Sequence, residues 1–363
     1  SKYEFKKRVN VYNNDSDIKS KKLDYYSNTE KVFFYGPTVI TGKDYRIFSE
    51  KGFYNTKSKN GFFNTKAKIE YSNRTIKGDS LIFDDFKKYA SGTKNVTIID
   101  TINKTIIKGD YAEVFKELDS AMVTKNSYAI KLLEKDSLFI KADTLFAIGP
   151  KENRFIKGRY NVKFYKTNMS GKSDKFIMNQ KNGLIKLMRN NLTKREQQIL
   201  TSKEISKKNP VIWNGESQMS GDEIHIIRNL KTNKLDSLKI LNNAFVIEKD
   251  SFGIDNYNQI KGINLFGNFK DNELEKIRLD RNTEMIYYLY DEESKELIGI
   301  DKAICSSILM TINNNKIDEI IFYTNPEGKV YPEEELEVNQ KILNGFNWRI
   351  EEKVLNKKTL ISK

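Results

Sequence analysis

Few of the residue types that do chemistry occur here in groups. His225 is the only histidine and Cys305 the only cysteine, which excludes imidazole relays, multi-cysteine metal sites and an internal disulfide framework. The run Gly215-Glu216-Ser217-Gln218-Met219 resembles a nucleophile elbow until its last residue, where that motif requires glycine. His225 stands between Ile224 and Ile226, a placement that reads as a ring on the outer face of a strand. Carboxylates do recur, at Asp44, Asp79, Asp110, Asp143, Asp174 and Asp222. Paired carboxylates could serve acid–base chemistry, yet Asp near Gly is also what tight turns select. They read as structural turns first. No catalytic constellation and no cofactor site is implied.

These carboxylates lie in a repeat. Six segments share a Gly-Asp-like turn followed by alternating apolar residues, and from Gly42 the steps to Gly78, Gly109, Ala142 and Gly171 are 36, 31, 33 and 29 residues. A sixth copy follows at Gly221 after 50 residues. Between these last two, Leu187 to Asn209 has good helix formers and capping-box spacing at Thr193 and Glu196, and removing about twenty residues restores the period. The segment is therefore expected to be a helical insertion in a repeat. A unit of this size cannot bury its own apolar face, so function is expected on a surface built by many units. Short polar turns favour antiparallel pairing, and the fold class expected is an all-β stack of antiparallel strands.

Aligned on the turns, the residues at alternate positions are Tyr45 and Ile47, Leu81 and Phe83, Ala112 and Val114, Leu145 and Ala147, Phe176 and Met178, and Ile224 and Ile226. Period two puts each pair on one strand face. Between them fall Arg46, Ile82, Glu113, Phe146, Ile177 and His225, a more polar set. The continuous apolar face is either a closed core or an open groove for acyl chains. Alanine at Ala112 and Ala147 beside Phe83 and Phe176 would fill a closed core unevenly.

Composition agrees with thin sheets: 38% of residues are apolar and 12% aromatic. No apolar run approaches the roughly 18 residues that would span a bilayer, so the chain reads as not transmembrane. The net charge of +14 is spread over turns rather than clustered with aromatics, which argues against a nucleic-acid partner. Strand signals continue to about Tyr290, so residues 1–290 are expected to form the stacked repeats and 291–363 an atypical β capping unit. The acidic turn at Glu333 to Glu335 and Trp348 would shield the last edge. At the other end Tyr3 to Val11 would accept a neighbouring strand, and any signal peptide would lie outside this chain.

Phe34-Tyr35-Gly36-Pro37-Thr38, the Gly-Asp copies, Asn209-Pro210-Val211-Ile212-Trp213-Asn214-Gly215-Glu216 leading to Met219-Ser220-Gly221-Asp222, and Gly345-Phe346-Asn347-Trp348-Arg349 together resemble the OstA-like family. That family includes LptA and the N-terminal domain of LptD. The likeness covers roughly residues 1 to 290, and the order of the motifs is its specific part. It implies a β-jellyroll open along one side, in the periplasm with outer-membrane association left open, that carries lipopolysaccharide or another acylated glycolipid. It also implies partners of the same jellyroll type joined by edge-strand pairing. The reading that competes with this non-enzymatic conduit is a secreted β-solenoid that binds or cleaves acidic polysaccharide.

Overall fold

The computed structural model describes residues 1–12, 15–133, 136–167, 169–313 and 316–362. The described residues fall into two compact units, Ser1–Arg159 and Tyr160–Ser362. The first is an antiparallel meander of β1 (Lys2–Tyr12), β2 (Ser16–Tyr26), β3 (Lys31–Gly42), β4 (Tyr45–Asn55), β5 (Asn60–Tyr71), β6 (Arg74–Asp84), β7 (Tyr89–Asp100) and β8 (Thr105–Phe115). It continues through β9 (Ser120–Thr124), β10 (Tyr128–Leu132), β11 (Ser137–Lys141), β12 (Thr144–Ile148) and the first part of β13 (Phe155–Lys166).

Each long strand is bent at its middle. The register of successive pairs breaks at Lys6/Val9, Ser20/Leu23, Tyr35/Thr38, Phe48/Lys51, Asn64/Ala67, Lys77/Ser80 and Thr93/Val96. On alternate strands the corner is a pair of residues with left-handed φ: Lys7 and Arg8, Thr65 and Lys66, Lys94 and Asn95, Lys125 and Asn126. Inserted residues of this kind re-aim a strand. By β8 the two halves have separated into different partners, β9 on residues 111–115 and β10 on 105–108. The result is one meander folded along a line of corners into two half-sheets that face each other.

The corners explain the repeat. Asp79 accepts from Asn95 Nδ2 at 2.9 Å, Asp110 from Asn126 Nδ2 at 2.6 Å, and Glu50 receives Lys66 Nζ at 2.8 Å. The recurring carboxylates thus tie a bent strand to its left-handed neighbour. Two copies were out of register with the others. Gly42-Lys43-Asp44 is a hairpin turn between β3 and β4, not a corner; the corner of β4 is Ser49-Glu50, whose Ser49 Oγ bonds Lys51 O at 2.8 Å. In the fifth copy the corner is Ser173-Asp174, while Gly171 pairs with Ile212 within a strand. From Ser49 the corners then step by 29, 31, 33 and 31 residues to Gly78, Gly109, Ala142 and Ser173.

The second unit holds the rest of β13, then β14 (Met169–Asn179), β15 (Leu184–Met188), α1 (Lys194–Ile199), α2 (Ser202–Lys208), β16 (Val211–Asn214), β17 (Ser217–Ser220) and β18 (Glu223–Arg228). After these come β19 (Leu235–Lys249), β20 (Tyr257–Lys270), β21 (Glu273–Tyr290), β22 (Leu297–Asn313), β23 (Lys316–Tyr323), β24 (Glu327–Tyr331) and α3 (Lys357–Ile361). The expected insertion is there as α1 and α2, each opened by a Thr–Glu capping box at Thr193/Glu196 and Thr201/Glu204. It starts after β15 rather than at Leu187, which is a fully buried strand residue. Strands bend here too: β22 pairs β24 with residues 300–304 and β23 with residues 307–313.

The boundary expected at residue 290 is not a boundary. β21 pairs with β22 from Lys276↔Thr311 to Tyr290↔Leu297, with register breaks at Asp280/Thr283 and Leu289/Tyr290, so the strands of 291–331 continue the same meander. The residues after β24 do form an irregular cover, but on a sheet face and not an edge. Leu336 and Leu343 pack on Phe245, Ile247, Ile286, Tyr288 and Ile300, with Phe346 and Trp348 alongside. Two fully buried amides fasten this strap. Gln218 donates to Asn347 O at 2.8 Å and accepts from Arg349 N at 2.7 Å, while Gln259 donates to Lys341 O and accepts from Leu343 N, both at 2.9 Å. Each glutamine uses its amide as a strand uses its peptide group, satisfying two buried main-chain groups.

Candidate functional site

The candidate site is the open side of the first unit, opposite the corners. Hairpin turns line it in two rims. One rim is made by the turns after β2, β4, β6, β8 and β12, the other by those after β1, β3, β5, β7 and β10. Backbone hydrogen bonds run along each rim: Thr56 N to Glu30 O, Asp85 N to Lys59 O and Lys116 N to Lys88 O on the first, and Thr101 N to Asn73 O and Leu132 N to Lys104 O on the second. From rim to rim the links are side chains. Tyr45 Oη and Tyr54 Oη meet at 2.7 Å, and the Tyr45 ring lies 4.6 Å from that of Phe83.

Between the half-sheets lie the expected apolar residues. Leu81, Ala112 and Leu145 form a row beside the corners, joined through Gly92 and Val123 by direct cross-strand pairing. Phe83, Val114 and Ala147 form the row nearer the mouth, joined through Ala90 and Ala121. Three of these five outer positions are alanine. Tyr45 and Ile47 belong to the facing half-sheet, because they follow a hairpin turn and precede the corner of β4. In the second unit Phe176 and Ile224 share one row through Leu187, and Met178 and Ile226 the next through Ile185. All twelve residues are buried. Arg46 and Ile82 are exposed, as residues of the opposite parity.

A small hollow opens at the mouth among Tyr45, Tyr71, Phe83, Ala90 and Val114, edged by Asp85, Lys88 and Lys116. Burial pushes the Tyr45 phenol far above its ordinary range, and its bond to Tyr54 adds to this. Asp44 at the rim is held low by its hydrogen bond to Lys116. Further along, Arg74, Asp100, Asn103 and Arg154 are all buried. Burial opposes ionisation of Asp100, but bonds from Asn103 and from Arg74 outweigh it and hold the carboxyl below its usual value.

The candidate catalytic residues do not converge. His225 Nε2 lies 2.5 Å from Glu223 Oε1 on its own strand, and Ser217 pairs with Asn214 across the β16–β17 turn. Cys305 is buried beside Thr283, whose Oγ1 donates to the Cys305 carbonyl at 2.6 Å. Among the described residues, no cluster of His, Cys, Asp or Glu could hold a metal, and no helix is long and apolar enough to cross a membrane.

No family model and no curated protein matches the chain. Among solved structures it is similar to LptH of Pseudomonas aeruginosa, described as the LptA-homologous periplasmic component of the lipopolysaccharide transport device. The identity is 13%, the match covers 29% of this chain and 74% of that one, and the TM-score is 0.27.

Sequence reading missed the charged rim and the two glutamine clamps. The rim residues are far apart in sequence, and no period links them. The corners did leave a signal: Asn95, Asn126, Asn161, Asn243, Asn282 and Asn325 all end a left-handed pair, a conformation Asn tolerates better than most residues.

Proposed function

We propose that this protein is a non-enzymatic carrier of acylated lipid, of which lipopolysaccharide is the leading candidate, with the chains lying between the half-sheets. One observation carries the reading. The first unit encloses a strip of apolar side chains whose mouth, among the described residues, is closed by side chains, while the backbone bonds run along each rim. A closed barrel would have to break its ladder to admit a chain, whereas here the rims can part with every strand still paired. Each methylene moved from water to such a strip gains ~0.8 kcal/mol, so a fourteen-carbon chain could gain on the order of 10 kcal/mol before the displaced side-chain contacts are subtracted. Repeated similar sites would let a lipid move at nearly constant energy.

The periplasm is the compartment that goes with this role. Strand addition along β1, exposed over most of its length, would join the apolar strip to that of another jellyroll protein. In the competing polysaccharide reading the repeated carboxylates would be the site, whereas Asp79, Asp110 and Asp222 each bond a corner asparagine, Asn95, Asn126 and Asn243. A photo-crosslinker at Phe83 or Phe176 should capture lipopolysaccharide or another acylated lipid, and one at Arg46 or Glu113 should not. Equal labelling from both sets, or capture of soluble polysaccharide alone, defeats the reading.

A further inference from the structure

The net charge of +14 looks scattered over turns in the sequence, but in the first unit the fold brings many of the cations onto one line, the corners opposite the mouth. From β5 to the corner between β11 and β12, each corner carries a lysine: Lys66, Lys77, Lys94, Lys108, Lys125 and Lys141. Lys7, Arg8, Lys21 and Lys22 extend the line over β1 and β2. Neighbouring strands lie ~4.8 Å apart, so a cation recurs at about that interval. Lys77, Lys94 and Lys125 are exposed, and with Lys108 they form no ion pair among the described residues. The acids on this ridge, Glu50, Asp79, Asp110 and Asp143, are outnumbered by its cations. At the mouth the charges are matched instead: Lys59 reaches Asp15 on the other rim at 3.1 Å, and Lys116 bonds Asp44.

The main chain does not ask for lysine here. Lys94 and Lys125 both have a φ of 61°, and Lys66 one of 54°, a left-handed conformation that Gly and Asn adopt more readily than a residue with a long side chain. The second place of two of these pairs is Asn, at Asn95 and Asn126, as the backbone favours; the first is lysine. A choice made against local preference in corner after corner is explained by what the side chain meets outside. Successive strands of a sheet turn by roughly 20–25°, so the ridge winds and its corners face gradually changing directions. A flat charged surface meets few of them at once, whereas a flexible linear chain can follow them all. Nucleic acid fits less well, because the corners from β4 to β11 hold no aromatic ring on which a base could stack and no arginine to fork a phosphate. Ammonium groups on flexible stems suit single carboxylates spaced along a chain.

We propose that the line of corners is a second binding surface, for a linear acidic polysaccharide that runs across the strands with its carboxylates on successive lysines. The proposal stands on the ridge and is independent of the acyl-carrier reading: the ligand needs no acyl chain, and the mouth lies on the other side. The cations of the corners do the binding, and the corner carboxylates take no part in it.

The test uses the full chain and these probes: oligogalacturonate, neutral dextran of the same length, a single-stranded oligonucleotide of the same charge, and vesicles of anionic phospholipid. Oligogalacturonate should bind at least a hundredfold tighter than dextran, and its affinity should fall at least tenfold as salt rises from about 50 to about 200 mM. Lys77→Gln, Lys94→Asn, Lys108→Gln and Lys125→Asn together should weaken it at least tenfold, with an unchanged or higher melting point, because Asn suits the left-handed corner. Removing the same charge at the mouth, with Lys43→Gln, Lys57→Gln, Lys87→Gln and Lys104→Gln, should change the affinity less than threefold. Equal losses in the two sets would reduce the effect to net charge and overturn the ridge. A melting point that falls in the ridge set would make these lysines structural and overturn it as well. Tighter binding of the oligonucleotide or of the vesicles overturns the polysaccharide assignment, and no binding of oligogalacturonate overturns the proposal outright. Each of these outcomes leaves the acyl-carrier reading where it stood.

Discussion

Leu81 and Gly92 face each other directly across β6 and β7, and their coupling can be predicted in sign. Leu81 is fully buried, and a Cβ built on Gly92 would stand 2.9 Å from Leu81 Cδ2 and 3.1 Å from both Val96 methyls. Leu81→Ala alone should cost ~2.7–5 kcal/mol by lost burial and residual cavity. At ~2–4 °C per kcal/mol for a unit of this size, its melting point should fall by roughly 5 to 20 °C. Gly92→Ala alone should cost about 1–3 kcal/mol through overpacking. In the Leu81→Ala background the methyl at position 92 meets space instead, and Ala is intrinsically better than Gly in a strand interior by roughly 0.5–1 kcal/mol. The second substitution should then become neutral or stabilising, a coupling of about 1–3 kcal/mol. Both tryptophans, Trp213 and Trp348, lie in the other unit, so the readout is hydrogen exchange of β6 and β7 amides during urea titration. Costs that add within ~0.5 kcal/mol would show that Leu81 does not occupy the space above Gly92.

Acid should loosen the first unit. Asp44 and Asp100 both have folded-state pKa values below their ordinary range, so their bonds stabilise fully above about pH 4 and are lost as pH falls through the folded values. Stability of β4 to β8, followed by exchange, should therefore drop steeply below pH 4, and a flat profile there contradicts the assignment. Gln218→Ala and Gln259→Ala should each destabilise the second unit by about 1–3 kcal/mol, because each leaves strap main-chain groups without partners. Faster proteolysis between residues 336 and 349 and a red-shifted Trp348 emission would report the release, and native-like values would refute the clamp. His225→Ala, Ser217→Ala and Cys305→Ser should each leave lipid binding unchanged, and loss confined to His225 or Ser217 would point to an enzyme.

How much could be seen in the sequence depends on how local the cause is. Strand faces were legible because alternation is decided residue by residue: Leu81, Phe83, Phe176 and Met178 all point inward as their parity requires. The antiparallel pairing followed from short turns for the same reason. The corner was harder. Gly42-Lys43-Asp44 and Gly78-Asp79 look alike, yet one closes a hairpin and the other bends a strand, because the difference lies in the partner strand, where Lys94-Asn95 supplies the left-handed pair. Cys305 and Tyr290 fell in a supposed change of pattern that is only the lengthening of β21 and β22. The rim pairs, such as Arg154 with Asp100 54 residues away, have no local cause and no trace in any window.

The strap sets the order in which the chain can finish folding. In the first unit every pairing up to β8 is between consecutive strands, so each hairpin can close as soon as its second strand exists. The face around Gln218 and Gln259 must wait for residues as much as 131 positions further on. During synthesis, Phe245, Ile247 and Ile286 therefore stand in water on an otherwise formed sheet, open to holdases or to strands of another copy. A chain cut after residue 331 would present a finished first unit attached to a second with one bare apolar side, and residues 332–362 act as an intramolecular chaperone that ends that exposure.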